Sequence, residues 1–157
     1  MTFGLLLAIC GAALAATLAG IGSAYGVKIG AEAAAGVVSE KPELFGKLLV
    51  LQALPGTQGI YGFLTAVLIL VRTGLLGGAG AQLTNDQGMA LLLAAMPIAI
   101  VGLISAIYQG KAAVAAIHMT AKQPDSSAKG ITMTALVETY AILALLVSIL
   151  LLFGIQI

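Results

Sequence analysis

The sequence predicts an all-α integral membrane protein with four transmembrane helices, arranged as two tandem helical hairpins. Of its 157 residues, 61% are hydrophobic and 8% are charged, whereas soluble domains carry about 25% charged residues. Four long runs contain no charge except for one carboxylate: 1–27, 48–71, 87–110 and 130–157. As a helix, each run is long enough to cross the roughly 30 Å hydrocarbon core of a bilayer.

The start of the chain and its composition exclude several other classes of protein. No cation precedes Lys28, so we expect a retained first helix rather than a cleaved signal peptide, which needs a positively charged start. Cys10 is the only cysteine; it excludes an internal disulfide and is expected to be a small packing residue. The net charge of +1 gives no basis for a nucleic-acid partner.

Two prolines, Pro42 and Pro124, mark the turns of the hairpins. The alanine-rich segments Gly26–Val38 and Lys111–Lys122 contain no proline, so the helices before each turn are expected to continue past the membrane. Six of the seven cations flank these turns, which the positive-inside rule places in the cytoplasm. Both termini and the loop Gly74–Gly80 are then outside the cell. The six cations are Lys28, Lys41, Lys47, Lys111, Lys122 and Lys129.

The two halves of the chain form a repeat with an offset of 82 residues, the spacing from Pro42 to Pro124. No gap is needed, and both halves run in the same order, so the repeats are parallel. We assign residues 1–76 to the first hairpin domain and 82–157 to the second. The same offset pairs Gly56 with Glu138, so only the second hairpin has a carboxylate there. Other matched pairs are Gly20 with Gly102, Ser23 with Ser105, Ala24 with Ala106, Lys47 with Lys129, Leu54 with Leu136 and Thr57 with Thr139.

Helices one and three carry faces of small residues, while helices two and four carry large apolar side chains. Small residues at a spacing of four lie on one helix face and allow close approach inside a membrane. Thin helices on one side and bulky ones on the other suit a curved assembly, although ordinary hairpin packing explains part of the pattern. The small faces consist of Gly22, Gly26 and Gly30 on helix one and Gly102, Ala106 and Gly110 on helix three.

Glu138 is the only charged residue between Lys129 and Ile157. A carboxylate inside a transmembrane helix costs about 3 kcal/mol on insertion scales and about 10 or more in other estimates. Such a group usually pairs with a cation, a proton or another polar group, and it marks an ion path. The alternative is a structural glutamate whose hydrogen bonds join two helices.

Helix two carries a polar face well inside its apolar run. Thr57, Gln58 and Tyr61 occupy positions i, i+1 and i+4, which places a hydroxyl, an amide and a phenol together. Pro55 lacks an N–H and disturbs the preceding turn. From proline geometry alone, the freed carbonyl belongs to Leu51.

Helix three contributes Gln109 and helix four contributes Glu138, and all these groups offer hard oxygen ligands. One carboxylate with neutral oxygens balances a single positive charge, which favours Na⁺ over Ca²⁺, an ion that usually recruits several carboxylates. A proton needs only the carboxyl and one partner, which leaves the other polar groups as hydrogen-bonding partners. Polar residues that only join helices are the third possibility.

These segments together resemble the rotor-ring proteolipids of V-type ATPases, in the duplicated form with two fused hairpins and most closely in the bacterial Na⁺-translocating branch. The resemblance covers nearly the whole chain. It implies that many copies assemble into a membrane ring, which ATP hydrolysis in a separate soluble head turns. The segments that carry it are Gly20–Ala24, Leu54–Phe63, Gln109–Lys111 and Val137–Tyr140.

The resemblance also implies an ion site and partners. It assigns the essential carboxylate to Glu138 and a hydrogen bond that closes the site to Tyr61. The further ion ligands that it implies are the side chains of Thr57, Gln58 and Gln109 and the backbone carbonyl of Leu54. Since Gly56 replaces the other carboxylate, we expect one ion per chain. The implied partners are further copies of the chain, a stator subunit with an essential arginine, central-stalk subunits at the cytoplasmic turns, and the lipid of the plasma membrane.

Three alternatives remain at this point. The first is the same ring carrying H⁺. The second is a small secondary exporter with a membrane-embedded glutamate, for which the sequence offers only Tyr61 and Tyr140 as aromatic residues near Glu138 and no tryptophan. The third is a purely structural role, which leaves the polar residues unexplained. The chain shows no grouping of nucleophile, base and orienting residue, so we do not expect an enzyme in its own right.

Overall fold

The computed structural model describes residues 2–78 and 80–157, which are almost entirely helical. Met1, in the predicted first hairpin, and Ala79, in the predicted glycine-rich loop, lie outside the described residues. Short 3₁₀ turns occur at Pro42–Leu44, Leu54–Gly56, Leu75–Gly77 and Pro124–Ser126. The helices are α1 (Phe3–Glu40), α2 (Phe45–Ala53), α3 (Thr57–Arg72), α4 (Asn85–Lys122) and α5 (Ser127–Gly154).

The described chain contains four segments long and apolar enough to cross a membrane, which confirms the predicted all-α fold with four spans. Helices α1 and α4 have 38 residues each, about 57 Å at 1.5 Å per residue, so they extend beyond the bilayer as predicted. Each ends shortly before a turn proline, because the residue before proline disfavours the helical conformation. The spans are Phe3–Glu40, Pro42–Arg72, Asn85–Lys122 and Pro124–Gly154.

The second span is interrupted where the sequence predicted a disturbed turn. Helix α2 ends at Ala53, the 3₁₀ turn Leu54–Gly56 follows, and α3 begins at Thr57. Pro55 cannot donate a backbone hydrogen bond, which explains why the regular α-helix stops there. The interruption sets the direction in which the polar residues at the start of α3 point.

Helices α1 and α4 pack against each other through glycines. A Cβ atom on Gly22 would lie 2.5 Å from the carbonyl oxygen of Leu103, and one on Gly110 would lie 2.5 Å from the Cα of Gly26. Any side chain at these positions would push the helices apart, so the small faces serve close packing inside the chain. Large apolar side chains are instead exposed on α3 and α5: Ile60, Phe63, Leu136, Leu143 and Leu150.

Side chains from the first half hold the second half at both ends of the bundle. Near the two turns, Lys41 Nζ donates to the carbonyl of Ala121 at 2.6 Å, and Lys47 Nζ donates to the carbonyl of Pro124 at 2.9 Å. At the opposite end, Arg72 Nη2 donates to a carbonyl at the end of α5 at 2.8 Å. These bonds fix the two hairpins in register.

Candidate ion-binding site

The 3₁₀ turn Leu54–Gly56 brings a backbone carbonyl to the polar start of α3. Thr57 Oγ1 donates to the carbonyl of Leu54 at 3.0 Å, and the same carbonyl accepts the N–H of Thr57. These are two of the groups that the family resemblance implies as ligands. Leu51, whose carbonyl the proline geometry indicated, has a fully buried side chain, and its part in the site stays a prediction.

Two glutamines join three helices by a chain of hydrogen bonds. Gln58 on α3 and Gln109 on α4 are both 0% exposed. Gln58 Nε2 donates to Gln109 Oε1, and Gln109 Nε2 donates to the carbonyl of Thr134 on α5 at 3.3 Å. Thr57 Oγ1 lies 3.4 Å from Gln58 Oε1. A hydroxyl, two amides and a backbone carbonyl are therefore gathered where the three helices meet.

The carboxylate of Glu138 is bound to this group from α3. The hydroxyl of Tyr61 donates to Glu138 Oε1, and both side chains are partly buried. Gln58 and Tyr61 lie three residues apart on α3, and Thr134 and Glu138 lie four residues apart on α5, so each pair shares a helix face. The glutamine chain and the carboxylate consequently occupy neighbouring turns of the same α3–α5 contact.

Within the described residues, Glu138 has no cationic side-chain partner. The salt bridge found there joins Lys28 and Glu32 at 3.5 Å, and it lies on α1. The same residues contain no group of three or more His, Cys, Asp or Glu side chains that could hold a metal ion. A cation at Glu138 would thus be held by one carboxylate and neutral oxygens. The predicted ligands Leu54, Thr57, Gln58, Gln109 and Glu138, and the predicted closing residue Tyr61, all lie in this region, and their roles toward an ion stay a prediction.

Two contacts of this region were missed by the sequence reasoning. Ser23 Oγ on α1 accepts the backbone N–H of Gly59 at 2.7 Å, one residue beyond Gln58. The carbonyl of Thr134 accepts from Gln109. The pairing of Ser23 with Ser105 in the repeat offered a weak signal for the first contact. The second uses a backbone group that every residue has, so residue types carry no signal for it.

Comparison with known proteins places these features in a family. The family model for the C-type subunit of ATP synthase matches the chain twice, over residues 10–69 and 92–151. The chain belongs to this family. The two matches lie in the two halves of this ATP synthase family member, as expected for a tandem repeat of one helical hairpin.

Three curated relatives narrow the kind of protein within the family. V-type sodium ATPase subunit K of Enterococcus hirae is 47% identical over 148 residues, which are 94% of this chain and 91% of that protein. A-type ATP synthase subunit K of Methanocaldococcus jannaschii is 41% identical over 151 residues, 96% of this chain and 64% of that protein. The 16 kDa proteolipid of the V-type proton ATPase of Ascaris suum is 34% identical over 117 residues, 73% of this chain and 69% of that protein.

These matches make the chain a multi-pass membrane proteolipid of the V-type rotor ring. It is a subunit of an ATP-driven ion-translocating complex and is not catalytic by itself. One relative is named for sodium and another for protons, so family membership alone leaves two candidate ions. The choice between them depends on the chemistry of the residues around Glu138.

Proposed function

We propose that each copy of this rotor subunit binds one Na⁺ at Glu138 and carries it across the membrane as the ring turns, coupled to ATP hydrolysis or synthesis. The observation that carries the proposal is a carboxylate with no cationic partner among the described residues, at neighbouring turns to four neutral oxygen groups. Those groups are the carbonyl of Leu54 and the side chains of Thr57, Gln58 and Gln109.

The ligand chemistry supports Na⁺ over H⁺. Neutral oxygens and a single carboxylate match a hard monovalent cation in charge. A proton carrier would need the carboxyl and the hydroxyl of Tyr61 but would give no reason to bury Gln58 and Gln109 completely. Burying an amide is unfavourable unless its polar atoms are satisfied. The 47% identity to a subunit named for a sodium ATPase favours the same ion.

Charge neutralisation gives the transport step. Bound Na⁺ cancels the charge of Glu138, so the partly exposed carboxylate can pass along lipid without the penalty of a bare charge. Tyr61 holds the carboxylate in place by its hydroxyl. An arginine of the stator subunit would displace the ion when the site reaches it, and offset half-channels would load and unload the ring. Moving each ion against 100 mV costs about 2.3 kcal/mol, which ATP hydrolysis supplies through rotation.

The orientation in the membrane follows from the cations. With six of seven cations at the turn end, the turns at Pro42 and Pro124 face the cytoplasm and both termini face outward. The exposed turns would then receive the central-stalk subunits. In this orientation the ring lies in the plasma membrane.

Carbodiimide labelling of the purified ring tests the ion. These reagents modify a protonated carboxyl, so bound Na⁺ should protect Glu138 and should compete with protons when the pH is varied. K⁺ at the same concentration should not protect. Glu138→Gln, which keeps the size of the side chain, should assemble but should neither be labelled nor transport Na⁺.

The outcomes separate the two ions and the structural alternative. Labelling of Glu138 that follows pH and ignores Na⁺ would identify a proton-carrying ring, with Gln58 and Gln109 acting only as links between helices. Sodium transport retained in Glu138→Gln would refute the assignment of the carboxylate altogether.

A further inference from the structure

The repeat specifies which helix faces continue the packing beyond one chain. Each position of α1 has a counterpart on α4 at the offset of 82 residues that separates Pro42 from Pro124. The movement that carries the first hairpin onto the second would carry the second onto a third hairpin. The face of α4 that receives this third hairpin is therefore the counterpart of the face of α1 that packs against α4 within the chain.

The matching free face on α1 is exposed along its length. The glycine contacts between α1 and α4 involve five positions of α4: Gly88, Leu92, Leu103, Ala106 and Gly110. Subtracting 82 from each number gives five positions of α1, and each of them is exposed: Leu6, Cys10, Ile21, Ala24 and Lys28. A helix face that has buried counterparts in the other half, but no partner in its own chain, is a surface for another copy.

The receiving surface contains a groove of about 280 Å³ between α4 and α5, lined by Val101, Ile104, Ser105, Tyr108, Val137 and Tyr140. All six counterparts in the first half are buried: Ala19, Gly22, Ser23, Gly26, Pro55 and Gln58. There, Leu103 and Ala106 of α4 cover the glycines. The repeat replaces those two residues with Ile21 and Ala24 of another copy, and Ile21 is 59% exposed.

The groove also explains why the two interfaces differ in detail. Ile104 and Tyr108 stand where the first half has Gly22 and Gly26, so backbones cannot approach as closely as they do inside the chain. Side chains must fill the wider gap, which suits the projecting Ile21. The hydroxyl of Ser105 is buried and has no hydrogen-bond partner among the described residues.

A polar contact at the turns gives the same register independently. Inside the chain, Lys47 Nζ donates to the carbonyl of Pro124 at 2.9 Å. The counterpart of Lys47 is Lys129, and the counterpart of Pro124 is Pro42. Both Lys129 and Pro42 are exposed, as a contact between two copies requires.

We propose that the next copy of the chain docks its α1 on the α4–α5 groove, in the register of the internal repeat. Ile21 and Ala24 of the next copy enter the groove, and Lys129 donates to the carbonyl of Pro42 of the next copy. The contact is head-to-tail, so successive copies close into a ring instead of forming a two-fold pair. The inference rests on the proposed rotor function for its ring, while the residue pairs follow from the repeat.

The native Cys10 allows a direct test. Within the chain Gly11 faces Leu92, and their counterparts are Leu93 and Cys10. Leu93 is 57% exposed. In Leu93→Cys, the new thiol should face Cys10 of the next copy within the roughly 7 Å between Cα atoms that a disulfide allows. Oxidation of the assembled ring, followed by a denaturing gel, should give a ladder of cross-linked multimers.

Two control variants fix the meaning of the ladder. Leu93→Cys combined with Cys10→Ser should remain monomeric on the gel. Ile100→Cys with native Cys10 tests the register, because Ile100 is 45% exposed on the same helix but lies about 10 Å farther along its axis. We expect at least about tenfold less cross-linked product from Ile100→Cys than from Leu93→Cys.

No ladder from Leu93→Cys, or an equal ladder from Ile100→Cys, would overturn the proposed register. If Leu93→Cys does not assemble, the pair Ile21→Cys and Ile104→Cys in a Cys10→Ser chain decides by the same criterion. Sodium protection of Glu138 is measured on the same preparations. Protection without a ladder rejects the interface alone, whereas a ladder without protection supports the interface and rejects the sodium function.

Discussion

The hydrogen bond between Gln58 and Gln109 predicts that leucine substitutions at these two positions are non-additive. Both side chains are completely buried. Gln109→Leu leaves Gln58 Nε2 and the carbonyl of Thr134 without their partner, and Gln58→Leu leaves Gln109 Oε1 unpaired. The double variant removes both ends of the bond and leaves only the Thr134 carbonyl unpaired.

The magnitude follows from the cost of unpaired buried polar groups, about 1–3 kcal/mol each. Hydrogen bonds between helices in a membrane are weaker, about 0.6 kcal/mol on average and about 1.7 at most, because the separated helices find other partners. Each single variant should therefore lose about 1–3 kcal/mol of stability. The double variant should be less destabilised than the sum of the singles by about 1–2 kcal/mol.

Sodium affinity should behave differently from stability. All three variants lack at least one amide oxygen proposed as a ligand, so the double variant regains stability without regaining the ion. We expect sodium protection of Glu138 to require at least about tenfold more Na⁺ in each variant, a loss of about 1.4 kcal/mol or more.

Thermal dissociation of the purified ring measures stability, and carbodiimide labelling with increasing Na⁺ measures affinity. Gln52→Leu is the matched control, because it makes the same change on the same span outside the hydrogen-bonded chain and should leave sodium protection unchanged. Single effects that add within about 0.5 kcal/mol would refute the coupling between the glutamines. Normal sodium protection in the double variant would refute their role as ligands.

Three further predictions use smaller changes. Tyr61→Phe removes the hydroxyl that donates to Glu138, at a cost of about 1.5–3 kcal/mol, and should speed the exchange of bound ²²Na⁺ while the ring stays assembled. Ser23→Ala removes the acceptor for a backbone N–H of α3; ring dissociation should show a loss of about 1 kcal/mol, with weaker sodium protection, and unchanged protection would limit Ser23 to a structural role. Gly22→Ala should impair assembly on a native gel, whereas Gly20→Ala, which has open space around its Cβ position, should assemble normally.

The spans and turns could be predicted because they depend on local properties of the chain. The apolar runs are long enough to require a membrane, and Pro42 and Pro124 end the helices before them whatever the tertiary structure. Pro55 likewise identified the interruption of the second span, since a missing N–H has a local effect. The glycines of α1 predicted close packing because small residues on one face have few other uses in a membrane.

The contacts between distant helices could not be read from the sequence. The bond from Gly59 to Ser23 depends on the relative rotation of α1 and α3, and the bond from Gln109 to Thr134 uses a backbone carbonyl. Residue types showed that an amide such as Gln58 needed partners but not which groups would supply them. Family resemblance, rather than spacing, brought the carbonyl of Leu54 into the proposed ligand set, while proline geometry pointed to Leu51.

The two halves have diverged in chemistry more than in local geometry. Thr139 Oγ1 donates to the carbonyl of Leu136 at 2.8 Å, as Thr57 does to Leu54 at 3.0 Å. Space is not the obstacle at Gly56, because a Cβ there would make only an ordinary contact of 3.6 Å with Val27. That valine stands where the second half has Gln109. The first half lacks an amide as well as the carboxylate, so restoring the carboxylate alone would not recreate the ligand set.

This divergence sets the work that each ion can receive under the proposed function. One carboxylate per four helices gives a ring half as many ions per turn as a ring of equal helix number with one carboxylate per hairpin. Each ion costs about 2.3 kcal/mol per 100 mV, and the energy of ATP per turn is shared among the ions. Halving their number doubles the energy available to each, so the same hydrolysis can drive Na⁺ against twice the membrane potential. Glycine at position 56 therefore favours a pump that builds a steep gradient over one that moves many ions.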